Sequence, residues 1–253
     1  MGQYYNPQIS VNGLVFYLDF ANTRSYSGSG ITFRDLSFSG ISATSINSPV
    51  YTTEAKGSFA FTQGTSRRIF ASHGGFGITL NTSKSCFAWV KPSAIIRETP
   101  ADRVVFFMNG TDINNRFLLA IGATDQFSGG FGERFLLYAT HISDPSNTTP
   151  AGNIALSGAG YPVSTWYHMG FTYPGTGASP SLYINGIAIT HQTSTLGFGF
   201  PATNIEGVNI GARSDSTTFD LNGSIASVAI YNRALTPGEI FKNYNATKAR
   251  FGL

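Results

Sequence analysis

The sequence predicts an all-β chain built as a two-sheet antiparallel sandwich, and three observations carry that reading. Short stretches of β-branched and aromatic residues with period-two alternation recur along the chain, bounded by Gly, Pro, Asn and Ser. A convincing helical pattern occurs once, near the C-terminal end, so the strand–helix alternation of a parallel sheet is missing. Charged residues make up 11% of the 253, against 29 glycines and 21 phenylalanines, which suits a packed, glycine-turned β protein and excludes a disordered chain.

Residues 1–12 read as a short N-terminal arm. The first strand is Leu14 to Phe20, where Leu14, Phe16, Leu18 and Phe20 share one face and Val15, Tyr17 and Asp19 the other. The same signals predict strands at Ser58–Phe61, Arg68–Ala71, Ser85–Val90, Arg103–Met108, Arg116–Ile121 and Arg134–Thr140. They continue at Trp166–Tyr173, Ser181–Ile184, Ile187–Thr190, Val208–Gly211 and Ser224–Tyr231. In SLYINGIAI, Asn185-Gly186 joins two apolar arms, and a two-residue type I′ turn needs the positive φ that this pair tolerates. The polar loops SDPSNTTPAG and GTGASP lie between strands, so residues 1–253 form a single domain.

The one helix is expected at about 237–248. Thr236 is placed to cap it, Pro237 suits its first position, and Glu239 three residues after the cap completes a capping box. Ile240, Phe241 and Tyr244 form an apolar stripe that reads as a face docked on the sandwich.

Composition narrows the function. A net charge of +3, with no basic run longer than Arg67-Arg68, gives no nucleic-acid patch. No apolar run approaches a membrane span, so membrane insertion is not expected. Cys86 is the single cysteine, so no intrachain disulfide forms, and its setting in Cys-Phe-Ala-Trp-Val reads as a small buried residue. The opening MGQYYNPQIS lacks the basic and apolar regions of a signal peptide.

In STWYHMGFTY, period-two alternation puts Trp166, His168, Gly170 and Thr172 on one face and Tyr167, Met169, Phe171 and Tyr173 on the other. His168 is thus a strand residue beside Trp166, and no acid near it in sequence could orient it as a catalytic base. Phe127 and Phe131 in DQFSGGFGERF, with Phe198 and Phe200 in LGFGFP, are too apolar to stand together in solvent. Burial in the core or at a subunit interface is the first reading for them, and sugar stacking the second.

Several stretches resemble the concanavalin A-like, laminin G-like jellyroll domains. They are GLVFYLDFANTRSYSGSG with FRDLS after it, Trp166-Tyr167-His168, Leu182-Tyr183-Ile184-Asn185-Gly186, Ile210-Gly211, the run Phe219 to Ala226, and Ile230-Tyr231-Asn232-Arg233-Ala234-Leu235-Thr236. They stand in the family's order across nearly the whole chain, and the resemblance implies a jellyroll β-sandwich with one short C-terminal helix. It makes His168 a recurrent structural residue whose ring bonds a neighbouring strand or loop. It also makes Asp215, Asp220 and Asn222 candidate calcium ligands, since Ca²⁺ takes six to eight oxygens; no other cofactor is implied. Glycosidases of this fold carry a carboxylate cluster on one strand, whereas Glu54, Glu98, Glu133, Glu206 and Glu239 are solitary.

The opening segment, with the ending Glu239-Ile240, Asn243-Tyr244-Asn245 and Arg250-Phe251-Gly252, is similar to jellyroll virion proteins of tailed bacteriophages, especially cyanophages. The expectation is a non-enzymatic capsid decoration protein or fibre or tail component, made in the host cytoplasm and released by lysis. Its expected partners are other virion proteins, further copies of itself and host-surface polysaccharide. A lectin-like adhesion module is the alternative, and a glycoside hydrolase the third reading. Phe33 to Gly40 lacks the Asn-rich turn common in such proteins, so an activity attached to that loop does not carry over.

Overall fold

In the computed structural model the described residues are 8–72, 76–79, 81–93, 103–110, 116–123, 134–142, 154–157, 161–175, 178–193, 205–214 and 220–253. The first strands are β1 (Leu14–Asp19), β2 (Thr32–Arg34), β3 (Ser42–Ile46), β4 (Val50–Thr52), β5 (Ser58–Phe61) and β6 (Arg68–Ser72). They are followed by β7 (Lys84–Pro92), β8 (Arg103–Gly110), β9 (Arg116–Ala123), β10 (Arg134–Ile142), β11 (Ile154–Ser157) and β12 (Tyr161–Pro162). The last are β13 (Tyr167–Tyr173), β14 (Ser181–Ile184), β15 (Ile187–Ala188), β16 (His191–Thr193), β17 (Ile205–Ile210) and β18 (Gly223–Tyr231), and then helix α1 (Pro237–Thr247).

The strands form two sheets. Sheet A runs β15-β14-β13-β7-β18-β5-β4, with β1 also paired to β18. Sheet B runs β16-β11-β10-β9-β8-β17-β6-β3-β2, with β12 also paired to β10. All pairings are antiparallel, and far-separated segments meet, as where β18 bonds both β1 and β7. Alternation decides which side chains face inward. Phe16, Leu18, Val90, Met169, Phe171 and Val228 from sheet A share one core with Phe33, Ile69, Phe106, Leu119, Val208 and Ile210 from sheet B. At about 25 cal/mol per Å² of apolar surface removed from water, such burial is the main stabilising term. Cys86 belongs to this core and is fully buried, as its apolar setting implied.

The expected strands all form, with shifted ends. Trp166 stands one residue ahead of β13, and Gly211 one residue past β17 at φ 88°, where an L side chain is strained. Six strands lie outside the predicted set: β2, β3, β4, β11, β12 and β16. Each is five residues or shorter, too short for alternation to show, and all but β12 carry Ser or Thr. At the predicted hairpin, Asn185 and Gly186 have φ of 52° and 79°, as a type I′ turn demands.

Helix α1 starts as the sequence indicates. Thr236 Oγ1 accepts from Glu239 N at 3.3 Å and the Glu239 carboxylate accepts from Thr236 N at 2.9 Å. The expected apolar stripe needs correction. Ile240 is fully buried, but Phe241 is 50% exposed, and the polar Asn243 takes a buried place instead. Lys248 to Phe251 then form a 3-10 turn that folds back over sheet A.

Candidate functional site

The outer face of sheet A carries the residues that the sequence singles out. On β13, His168, Gly170 and Thr172 face away from the core, and Tyr244 of α1 packs near His168. Phe87 on β7 fits there because residue 170 has no side chain. A Cβ at Gly170 would lie 2.1 Å from the Cys86 carbonyl and 2.5 Å from the Phe87 ring. His168 stacks on Phe87 at 5.2 Å and 11°, and Trp89 and Tyr244 close round it at 5.4 and 6.2 Å. Trp166 is also buried here, grouped with Trp89 and Ala226.

This environment seals the His168 ring from solvent. Burial alone lowers its pKa to about 3, because the charged imidazolium is desolvated, so the ring is neutral at physiological pH. The expected ring hydrogen bond is corrected in part: Nδ1 has no partner, and the backbone makes the link to the next strand. His168 N–H donates to Asn185 Oδ1 at 3.0 Å, and Asn185 N–H donates back to the His168 carbonyl at 2.7 Å. The hairpin residue Asn185 thereby ties the turn to β13. His168 also lines a void of about 20 Å³ with Trp89, Tyr17, Tyr231, Asn243 and Thr247, which is room for one water.

Each carboxylate whose side chain is described is committed to the fold. Asp19 pairs with Arg250 at 2.5 Å, and Glu54 with Lys91 at 2.5 Å. Asp35, 5% exposed, accepts from Tyr17 N, Ser37 N, Ser37 Oγ and Ser39 Oγ at 2.5–2.9 Å. Glu239 takes both arms of the Arg233 guanidinium as well as the cap, and Arg233 holds its pKa down at about 2. Asp220 Oδ2 accepts from Thr65 N at 3.0 Å and Ser66 N at 2.7 Å, fixing the turn before β6.

Of the candidate calcium ligands, Asp220 is therefore a turn brace, the Asn222 carbonyl accepts from Ser93 N at 2.9 Å, and Asp215 lies outside the described residues. Among the described residues no three His, Cys, Asp or Glu side chains gather as a metal site. Phe127, Phe131, Phe198 and Phe200 also lie outside the described residues. Asn243 and Arg250, which the sequence marks only through the resemblance and without a role, take structural places. Both sit in the closing segment, but nothing in one sequence says that a polar helix residue will be buried.

The molecule also has an open cleft of about 430 Å³, within the range of small-ligand sites. Hydrogen-bonding side chains of Gln8, Tyr17, Asn22, Arg24 and Thr247 line it together with apolar Leu36 and its neighbours. The Asp35 network holds one wall, since Leu36 N–H also donates to the Tyr17 carbonyl at 2.9 Å. The same braced loop carries Phe38, which is 99% exposed. Polar groups over an apolar wall can bind hydroxyl-rich ligands, and no described carboxylate lines this cleft to activate water.

Residues 63–241 match the family model of the concanavalin A-like lectin/glucanases superfamily. Among solved structures, Trypanosoma rangeli sialidase in complex with sialic acid is similar with TM-score 0.62 and 16% identity, over 94% of this chain and 33% of that one. The binding domain of botulinum neurotoxin serotype G gives TM-score 0.61 and 12% identity, over 91% and 50%. Domain 4 of AbnA, a GH43 extracellular arabinanase from Geobacillus stearothermophilus, was solved with arabinotriose. It gives TM-score 0.54 and 18% identity, over 93% of this chain and 100% of that one. The chain thus spans about a third of the sialidase, and these likenesses establish the fold. No curated protein matches by sequence.

Proposed function

The chain belongs to the concanavalin A-like lectin/glucanase superfamily, and from that premise we propose that it is a non-enzymatic carbohydrate-binding domain. The observation that carries this reading is the contrast, among the described residues, between the acids and the cleft. Asp19, Asp35, Glu54, Asp220 and Glu239 are engaged in ion pairs, turns and a helix cap, and His168 is sealed and neutral. A glycosidase of this kind needs two free carboxyl groups flanking the scissile bond. The cleft instead offers neutral hydrogen-bonding groups, Arg24 and an apolar wall. The arabinotriose complex of the arabinanase domain supports the same reading for a sandwich of this size.

The finer proposal places the domain in the particle of a tailed bacteriophage, as a capsid decoration protein or part of a fibre or tail. The opening GLVFYLDFANTRSYSGSG and the closing segment support it by their resemblance to such proteins. Its role there is adhesive: contact with other virion proteins and with copies of itself, and attachment to host-surface polysaccharide. Purified protein on a glycan array should retain specific glycans, and Arg24→Ala should weaken the retention. Reducing-sugar release from retained glycans should stay at background, and release above it overturns the non-enzymatic reading. Mass spectrometry of purified particles with labelled microscopy tests the location; absence from the particles removes the virion role and leaves the binding role standing.

A further inference from the structure

The open cleft presents hydrogen-bond donors that the fold leaves unused, and they project from a fixed turn. Between β1 and β2 the chain turns at Asn22, whose carbonyl accepts from Ser25 N at 2.8 Å and Tyr26 N at 3.0 Å. Asn22 N–H donates to the Asp19 carbonyl at 3.0 Å, and Asn22 Oδ1 accepts from Arg24 N at 3.0 Å. Ser25 is tied to β2 twice: its carbonyl accepts from Arg34 N at 2.8 Å, and its Oγ donates to the Arg34 carbonyl at 2.9 Å. Ser25 and Tyr26 are buried, and Tyr26 stacks on Phe33 with ring centroids 5.1 Å apart. Arg24, one residue ahead of them, is exposed and lines the cleft.

The turn decides the chemistry of this wall. Because Asn22 Oδ1 is taken by Arg24 N, the end of the amide left over is Nδ2, a donor. Neither Nδ2 nor the Arg24 guanidinium has a partner among the described residues. Thr247 Oγ1, by contrast, is engaged with Trp89 Nε1 and the carbonyls of Asn243 and Tyr244. The acids flanking this region are engaged too, Asp19 with Arg250 and Asp35 with Tyr17, Ser37 and Ser39. A cation beside an amide donor, in a lining with no described carboxylate, is complementary to an oxyanion. Leu36 on the braced loop gives apolar contact for the rest of the ligand.

We propose that this cleft takes a sugar bearing an oxyanion, a carboxylate or a sulfate, to which Arg24 and Asn22 Nδ2 donate. This rests on the carbohydrate-binding reading above and names the ligand class of the same site. Arg24 sets the preference for anionic over neutral glycans, and Asn22 both fixes the turn and supplies the second donor.

The test uses the full chain on an array of uronate, sialate, sulfated and neutral hexose oligosaccharides. The unmodified chain should retain anionic glycans over neutral ones, and the class retained identifies the oxyanion. Arg24→Gln should cut that retention about tenfold or more. Asn22→Asp keeps an acceptor for Arg24 N–H but replaces the donor with a carboxylate oxygen, so it should cut retention as far without lowering the melting temperature. Arg34 is exposed on β2 beside this turn and lies outside the cleft lining, so Arg34→Gln should leave retention within about twofold. Equal losses in Arg24→Gln and Arg34→Gln mean diffuse attraction to surface charge and overturn the site, as does undiminished retention in Arg24→Gln. Neutral glycans retained as well as anionic ones overturn the oxyanion class and leave the carbohydrate-binding function standing. No retention by the unmodified chain overturns both.

Discussion

Phe251 lies flat on Trp89, with ring centroids 3.8 Å apart and planes 15° from parallel. The two residues are far apart in sequence, and the contact fastens the end of the chain to the middle strand β7. Trp89 Nε1 also donates to Thr247 Oγ1 at 2.8 Å, so the indole is satisfied on its polar edge while its face is covered. Next to it, Arg250 donates to the carbonyls of Ala55 and Gly57 and pairs with Asp19.

This clamp should be measurable. Phe251→Ala removes a stacked, partly buried ring and should lower unfolding free energy by about 2 kcal/mol, less than the 3–5 kcal/mol of a fully buried aromatic. Urea denaturation followed by tryptophan fluorescence reports it, since Trp89 is one of the two indoles. A loss within error of zero would falsify the clamp.

The Asn243 amide is the second target. Its Oδ1 accepts from Ser10 N at 2.7 Å and its Nδ2 donates to Tyr231 Oη at 3.0 Å, while Tyr231 Oη donates to the Ser10 carbonyl at 3.0 Å. Asn243→Ala strips a partner from the buried Ser10 N–H and should cost about 2–3 kcal/mol. Tyr231→Phe breaks the same triangle, so the double variant should cost clearly less than the sum of the two. Additive losses would show that the three groups act independently.

The sandwich was legible because alternation and turn chemistry are local signals: LVFYLD, the Asn185-Gly186 turn and the Thr236–Glu239 cap each state their structure within a few residues. β3 and β4 were not, because SATSI and VYT are short and Ser/Thr-bearing and become strands only by pairing with β2 and β6 and with β5. The face assignment of His168 followed from period two, but its isolation did not. That depends on Phe87, Trp89 and Tyr244 converging from two other elements.

Stability should depend on pH in two separable windows. His168 has a pKa of about 3 in the folded chain against an ordinary 6.5, so the unfolded state binds the extra proton between those values. Its contribution is complete above pH 6.5 and is lost as pH falls toward 3, at up to about 1.4 kcal/mol per pH unit. Glu239 has its pKa held at about 2 against an ordinary 4.5, so its contribution is present above 4.5 and is lost as pH falls toward 2. Between pH 6.5 and 4.5 the His168 slope therefore stands without that of Glu239. Denaturation midpoints across this window should fall with acid in the unmodified chain and flatten in His168→Gln; an unchanged slope in the variant rules His168 out as the cause.

The last prediction separates Trp166 from His168 and tests the enzyme question directly. Trp166 is packed with Trp89, Ala226 and Phe251, so Trp166→Ala should cost about 3–5 kcal/mol. His168→Gln keeps the backbone bonds to Asn185, loses a ring stack, and removes a nitrogen that had no partner. It should cost no more than about 1 kcal/mol at pH 7 and leave glycan retention as it was. A structural histidine gives this pattern because its whole effect passes through packing. A catalytic histidine gives the reverse: a normal melting curve and normal retention, with a turnover present in the unmodified chain and gone in His168→Gln. Thermal melts, array retention and reducing-sugar release on both variants distinguish the two.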